Sequence, residues 1–361
     1  MKIAVLLGGH SEEREVSLAS GTQVARALRA AGHDVVAMDT AHGLLTLEEE
    51  EEILARGVRP DPPPLEVLGL LRTGDTTALT SSPELLEADL VFPALHGGAG
   101  EDGTLQALLD LTGLPYAGSG RLGCTLAMDK EVSKRLFRDE GIATPDWVAW
   151  SAEEARLWAG EEDGPELRAV GDRLGFPLIV KPPSGGSTLG LTLARTPESL
   201  EAAVHEALRY EARVLFEAYV KGRELTVGIV GNDALPVGEI KPAHELFDYE
   251  CKYQPGLAEE IFPAEIPSGV ALELQESALA AHRVLQLSDF SRVDFLVDED
   301  GEAWCLEANA LPGLTSNSLL PKAARAAGTS FPELCDQVVR VALARWGIQG
   351  ALPGTRTFSG G

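Results

Sequence analysis

The chain has 361 residues, 44% hydrophobic and 24% charged, the proportions of a globular protein long enough for two or three packed domains. Thirty basic residues against 56 acidic ones give a net charge of -26, which repels a nucleic-acid backbone and leaves a few lysines and arginines to gather any anionic substrate. No apolar run is long enough to cross a bilayer, and the opening MKIAVLLGG lacks the h-region and cleavage site of a secretory signal, so a cytoplasmic protein without membrane or nucleic-acid partners is expected.

In chain order, residues 3 to 7 read as a first strand, followed by the loop GGHSEEREVS and a helix in which Val24, Ala27, Leu28 and Ala31 recur at helical spacing before Gly32. LEEEEEIL reads as a solvated helix and PDPPP as an exposed loop, with no chemistry assigned to either. DLVFPALHGG (Asp89 to Gly98) reads as a buried strand and TLQALLDLTG (Thr104 to Gly113) as the helix after it, which makes a second βα unit and a parallel α/β class. No GxGxxG follows the first strand, so hydride transfer on a dinucleotide is disfavoured. From about Leu122 the chain turns to charged helical segments, a polar stretch near Glu161 to Gly164, and two short strands around a glycine-rich loop. Then come the strands ARVLFEAYV and RELTVGIVG, a long loop through Phe247 to Ala258, and a helix from about Ala271 to Leu285. The four cysteines, Cys124, Cys251, Cys305 and Cys335, show no CxxC spacing, which fits buried thiols in a reducing compartment rather than a zinc site.

SRVDFLVDEDGEAWCLEAN contains Asp300-Gly301, a strong signal for a two-residue turn between antiparallel strands. Such a turn sets Asp294 opposite Glu307 and Arg292 opposite Asn309, all on one face, with Val293, Phe295, Val297, Trp304 and Leu306 on the other. Two carboxylates directly opposite have Cβ atoms roughly 5 Å apart and repel unless one protonates or a cation lies between them. Carboxylate and amide oxygens suit a hard divalent ion that completes its shell with water and phosphate. A surface hairpin with its acids in water is the ordinary alternative; Arg292 and Asn309 on the same face favour a site for metal and phosphate.

FPLIVKPPSGGSTLGLTLA (Phe176 to Ala194) reads as strand, glycine-rich loop, strand, with Lys181 closing the first strand. The amides of such a loop cradle phosphate oxygens, and its glycines let the backbone come close. It is not a Walker A loop, since no GK[ST] follows and no helix begins there. By itself such a glycine-rich turn between strands is more often an ordinary hairpin. With Lys130 upstream and the acidic hairpin downstream, a nucleotide is the better explanation.

LLGGHSEEREVSL, ALHGGAGEDGTLQ, LPYAGSG, MDK, KPPSGGSTLG, FDYECKY, RVDF and LEANALPGLTSNSLLP, in this order between Lys2 and about Gly347, resemble the motifs of the D-alanine–D-alanine ligase family of the ATP-grasp superfamily. The resemblance implies an α/β, three-domain ATP-grasp fold. Residues 1–120 would form an N-terminal Rossmann-like (pre-ATP-grasp) domain, 121–215 a central subdomain with the phosphate loop, 216–346 a C-terminal subdomain with metal site and mobile loop, and 347–361 a flexible tail. It implies ATP-dependent joining of two D-alanines through D-alanyl phosphate for peptidoglycan precursor synthesis, with two Mg2+ (or Mn2+) ions, K+ as a further candidate, and a homodimer. Joining D-alanine to another acceptor such as D-lactate is the alternative, and a nucleotide-binding module without catalysis is a more distant one.

Carried over position by position, the resemblance implies that Lys130 and Lys181 contact the ATP phosphates beside Gly186, that Glu217 and Glu224 meet adenine and ribose, and that Tyr219 and Val220 line the adenine slot. Lys252 would reach the γ-phosphate from the mobile loop, and Tyr253 would close that loop onto Ser187, itself linked to Glu13. Glu13 would hold the ammonium of the first D-alanine, with His96 nearby. Arg292 and amides near Gly313 would stabilise the oxyanion, Ser318 and Leu319 would receive the second carboxylate, and Asp294, Glu307 and Asn309 would ligate the metal. Gly185, Ala310 and Cys251 depart from common family residues, and the segments around 43 to 80 and 152 to 173 are longer than in short members. Taken singly, Glu13 also suits the start of a helix, His96 a satisfied turn, and Ser187 a bond within its own loop.

Overall fold

The structure is a computed structural model that describes residues 1–57, 82–158, 165–186, 188–244 and 256–348. The PDPPP loop, the polar stretch near Glu161 to Gly164 and the tail from 349 onward lie outside the described residues.

Three sheets organise the chain. In the first, β1 (Lys2–Leu7) pairs in parallel with β2 (Asp34–Asp39), β3 (Gly43–Leu44) closes that edge antiparallel, and β4 (Leu90–Pro93) lies parallel on the other side of β1. IAVLL is apolar without alternation because both its faces are covered. Ile3, Val5 and Leu7 join Leu18, Val24 and Leu28 of the helix Arg14–Ala30 in one core, while Ala4 and Leu6 join Leu105 and Leu109 of the helix Thr104–Thr112 in another. The first helix packs so close that a Cβ on Gly21 would stand 2.3 Å from Cβ of Leu7. The acidic helix Leu47–Arg56 is not solvated throughout: Glu50 is buried, its carboxylate held by Arg29 Nη1 and Nη2 at 2.6 and 2.8 Å.

In the second sheet β5 (Trp147–Trp150), β6 (Leu178–Lys181), β7 (Thr192–Ala194) and β8 (Val214–Ala218) run antiparallel in the order β5-β8-β6-β7. The helices Pro165–Leu174 and Pro197–Ala207 pack on it through Leu167, Val170, Leu200 and Val204. A division at 215 falls inside β8, whose hydrogen-bonded partners are all in this sheet.

The third sheet contains β9 (Gly222–Val230), β10 (Asp233–Ala234), β11 (Gly238–Pro242), β12 (Ala258–Ile261), β13 (Phe290–Asp298) and β14 (Ala303–Asn309), ordered β12-β11-β9-β13-β14 with β10 on β9. The helices Arg121–Met128 and Lys130–Asp139 pack here, not on the second sheet, because Cys124, Ala127 and Phe137 are buried against Leu225, Val293 and Phe295. Two C-terminal helices, Leu319–Ala326 and Phe331–Arg345, bury Leu320, Leu334 and Val338 in the same core as Val5 and Phe92. Arg345 adds hydrogen bonds to the carbonyls of Tyr116 and Gly118 at 2.8 and 3.0 Å, so the first and third units share an interior.

The hairpin of β13 and β14 differs from its expected form in two ways that cancel at the site. The turn has three loop residues rather than two: Asp298 N donates to Glu302 O and Gly301 N to Asp298 O, both at 3.1 Å. This shifts the register by one. A bulge between Asp294 and Phe295, opposite the extra residue Leu306, shifts it back, so Asp294 faces Glu307 and Arg292 faces Asn309 as expected. Between bulge and turn, however, the faces of β14 are exchanged. Cys305, fully buried, packs in the core, while Leu306 lines a cavity and Trp304 donates to Asp298 Oδ2 at 2.8 Å, so neither shares the core face.

Candidate active site

Two adjoining cavities open where the three sheets meet, one of about 430 Å³ and one of about 570 Å³. The smaller lies between the second and third sheets, walled by Lys181, Glu217, Tyr219, Val220, Glu224 and Leu306. The larger faces the first sheet and is walled by Glu13, His96, Asn309, Gly313, Ser318 and Leu319. Lys130, Gly185, Gly186, Arg292 and Glu307 line both, and form the wall between them.

In that wall Lys130, the first residue of its helix, donates to Gly185 O at 2.7 Å and stands 3.3 Å from Glu307 Oε2. One ammonium thus ties the glycine-rich loop to the acidic hairpin. Across the hairpin, Asp294 is buried and saturated. Its Oδ1 accepts from Thr226 Oγ1 (2.7 Å) and Arg292 Nε (2.9 Å), and its Oδ2 from Arg292 Nη2 (2.8 Å) and Asn309 Nδ2 (3.0 Å). The two facing carboxylates therefore do not depend on a shared cation: Arg292 neutralises one and Lys130 the other. Two carboxylates and an amide on one face form an all-oxygen donor set that fits a hard divalent ion, provided Asp294 exchanges one of its four donors.

Behind the smaller cavity Glu217 is buried between two lysines. Lys134 Nζ lies 2.6 Å from its Oε1 and 2.6 Å from Thr144 Oγ1, and Lys181 pairs with Oε2. Burial raises the Glu217 carboxyl's pKa, but the two ammonium groups more than reverse this and hold it at about 2. Both oxygens being engaged by lysines, Glu217 serves this cavity by holding Lys181 at its wall.

In the larger cavity Glu13 immediately precedes the helix Arg14–Ala30 yet makes no capping bond. Its carboxylate fits between two glycines: a Cβ on Gly97 or on Gly186 would come within 2.8 or 2.9 Å of Oε2. His96 is buried with both ring nitrogens engaged, Nδ1 with Leu311 O at 3.1 Å and Nε2 with Ser20 Oγ at 2.9 Å, and burial lowers its pKa. It joins the first unit to the loop before Gly313 as a neutral, satisfied histidine. Ser318 Oγ holds the turn that starts the helix Leu319–Ala326, accepting from Thr315 N at 3.1 Å.

Residues 2–119 match the family described as D-ala D-ala ligase N-terminus, and residues 136–340 the one described as D-ala D-ala ligase C-terminus. The chain belongs to the D-alanine–D-alanine ligase family. It is 39% identical over 351 residues to the D-alanine–D-alanine ligase of Trichlorobacter lovleyi, covering 97% of each chain, and 40% identical over 348 residues to that of Halalkalibacterium halodurans, covering 95% of this chain and 99% of the relative. The D-alanine–D-alanine ligase from Bacillus anthracis complexed with ATP superposes with a TM-score of 0.72 at 30% identity, covering 97% of this chain and 100% of that one. The VanG D-Ala:D-Ser ligase from Enterococcus faecalis superposes with a TM-score of 0.76 at 28% identity, covering 94% and 99%. The three-sheet architecture is thus the ATP-grasp fold of this ligase family.

Three residues that the family resemblance singled out, Ser187, Lys252 and Tyr253, lie outside the described residues. Three others in the cavity walls or directly behind them were not singled out. Glu101 lines the larger cavity, accepts from Gly97 N at 2.7 Å, and is pushed up to about 8 by burial and by the charge of Glu13. Lys322 lines the same cavity, and Lys134 backs the smaller one. A sequence signal existed for Lys134, which follows Lys130 at i+4 on one helical face. Glu101 stood inside the quoted ALHGGAGEDGTLQ motif.

Proposed function

We propose that this chain is an ADP-forming ligase that joins two D-alanine molecules at the expense of ATP. The observation that carries the reading is the common wall: Lys130, Arg292 and Glu307 border both cavities, so a nucleotide in one presents its terminal phosphate to a carboxylate in the other. Cationic side chains fixed at that boundary neutralise charge on a transferring phosphoryl group.

In this reading Lys181, Lys130 and the amides near Gly186 hold the phosphates, Tyr219 and Val220 flank the base, and Glu224 meets the ribose. Glu13 takes the ammonium of the first D-alanine, whose carboxylate accepts the γ-phosphoryl group to give D-alanyl phosphate and ADP. The amine of the second D-alanine, its carboxylate near Ser318 and Leu319, attacks the carbonyl and phosphate leaves. Arg292, oriented by its two bonds to Asp294, and the backbone at Gly313 receive the oxyanion. Asp294, Glu307 and Asn309 would hold Mg2+ or Mn2+, which supplies charge neutralisation on the phosphates. Lys252 and Tyr253, which lie outside the described residues, would help keep water from the acyl phosphate. A cytoplasmic homodimer serving peptidoglycan precursor synthesis accords with this reading, and among the described residues no helix is long and apolar enough to cross a membrane.

The deciding experiment is phosphate release from ATP with D-alanine, D-serine, D-lactate and L-amino acids supplied separately and in pairs, with product identified by mass. D-alanine alone is expected to suffice and to yield the dipeptide. ADP formation that ignores every amino acid would overturn the reading. Turnover only with a mixed pair would reassign the acceptor.

A further inference from the structure

In the wall of the larger cavity Lys322 pairs with Glu260, joining the helix Leu319–Ala326 to β12. Their side chains are 29% and 15% exposed, and both line the cavity together with Ser318, Leu319 and Gly313. The other lysine and arginine lining it, Lys130 and Arg292, belong to the wall shared with the nucleotide cavity and are committed there to Glu307 and Asp294. Lys322 is therefore the one lysine or arginine, among the described residues of this cavity, placed beside the acceptor end and away from the phosphates.

The acceptor needs such a charge at the moment it reacts. To attack a carbonyl its amine must be neutral, which leaves a D-amino acid with a bare carboxylate and a net charge of -1. The helix start at Ser318 offers that carboxylate amides and part of a dipole, but no full charge. Pro321 has no N–H, and the Lys322 N–H already bonds Ser318 O at 3.0 Å, leaving the amides of Leu319 and Leu320 and their share of the helix dipole. The Lys322 side chain lies one turn beyond Ser318, on the same helical face.

We propose that Lys322 is the cation that binds the carboxylate of the acceptor D-alanine, and that Glu260, by sharing that ammonium, limits the acceptor's affinity. The inference rests on the ligase reading and adds a selectivity to it: the site demands a free carboxylate on the acceptor and is indifferent to whether the nucleophile is an amine or a hydroxyl. A plain structural clip between helix and strand makes a different prediction. Under a clip, loss of either partner loosens the same contact and weakens the site in the same direction.

Opposite signs therefore decide it. Lys322→Met, Lys322→Arg and Glu260→Gln are assayed for phosphate release at saturating ATP, with D-alanine titrated so that donor and acceptor KM are resolved, and each variant is checked by thermal melting. Lys322→Met is expected to raise the acceptor KM about tenfold or more, the worth of one hydrogen bond to a charged group, with the donor KM unchanged. Lys322→Arg recovers most of the loss, Glu260→Gln lowers the acceptor KM below wild type, and D-alaninamide as acceptor shows no response to either change. An acceptor KM for Lys322→Met within about twofold of wild type, or a Glu260→Gln variant that raises it as Lys322→Met does, overturns the inference. A wild type that makes dipeptide while Lys322→Met matches it sinks this inference alone; a wild type inert towards D-alanine sinks the ligase reading with it.

Discussion

Lys134 has no exposed surface, and its Nζ stands 2.6 Å from Glu217 Oε1 while Lys181 takes the other oxygen of the same carboxylate. Three charges in a row, plus, minus, plus, thus run from the enclosed Lys134 to Lys181 at the wall of the smaller cavity. Removing Lys134 strips the buried Glu217 Oε1 of its partner in a low dielectric and leaves Lys181 on the other oxygen alone. Lys134→Met is expected to cost about 3 kcal/mol of folding stability, read by denaturant titration. A loss under about 1 kcal/mol would mean that solvent reaches Glu217 after all.

The same carboxylate sets an acid limit. Its folded pKa, about 2, lies below the ordinary 4.5, so its contribution to stability is complete above pH 4.5 and is lost as pH falls towards 2. Titrating wild type and Glu217→Gln with denaturant at successive pH values should show the wild-type curve falling more steeply than the variant's across that window. Parallel curves would contradict the assignment.

Glu101 has the opposite sign. Burial and the neighbouring Glu13 raise its folded pKa to about 8 from 4.5, so its ionisation increasingly opposes folding as pH climbs between those values. The Tm of Glu101→Gln relative to wild type should therefore increase from pH 5 to pH 8. A difference that stays flat over this range would place the carboxyl in water.

Gly186 carries a steric prediction. A methyl group there would meet Glu13 Oε2 at 2.9 Å, while the backbone at Gly186 lies outside the left-handed region and accepts alanine. Gly186→Ala should fold with unchanged Tm and displace the Glu13 carboxylate. A rise in KM for the first D-alanine of roughly fivefold, about 1 kcal/mol, is the expected reading in steady-state kinetics.

Glu307→Gln tests the common wall. It keeps the side chain's shape and removes the charge that faces Lys130. Turnover should drop about a hundredfold or more with the fold intact by circular dichroism. Near-normal ligation by the folded variant would remove Glu307 from the chemistry.

Local patterns made much of this molecule legible. The unalternating IAVLL announced a strand covered on both faces, and Asp300-Gly301 announced the hairpin that brings Asp294 to Glu307. Longer-range facts were not legible. Nothing local told that the turn has three loop residues, or that a bulge at Leu306 restores the register, because such compensation is decided by packing of Cys305 and Phe295 against a helix far away in sequence. The i+4 spacing puts Lys134 on the face of Lys130, but its burial is not local information, since it depends on an acid more than 80 positions later. A domain boundary at 121 joins the helices from Arg121 to the segment that follows them, whereas their apolar faces answer to the third sheet, formed by strands from Gly222 onward.

The five residues common to both cavities carry a practical consequence for ligand design. A compound that copies a phosphorylated amino acid and extends into the nucleotide space would straddle the Lys130–Glu307 bridge and touch both compartments at once. Its affinity would respond to changes on either side, whereas a mimic confined to one compartment would be blind to half of them. Comparing the two kinds of compound against the same panel of variants would chart the partition between the chambers without trapping any intermediate.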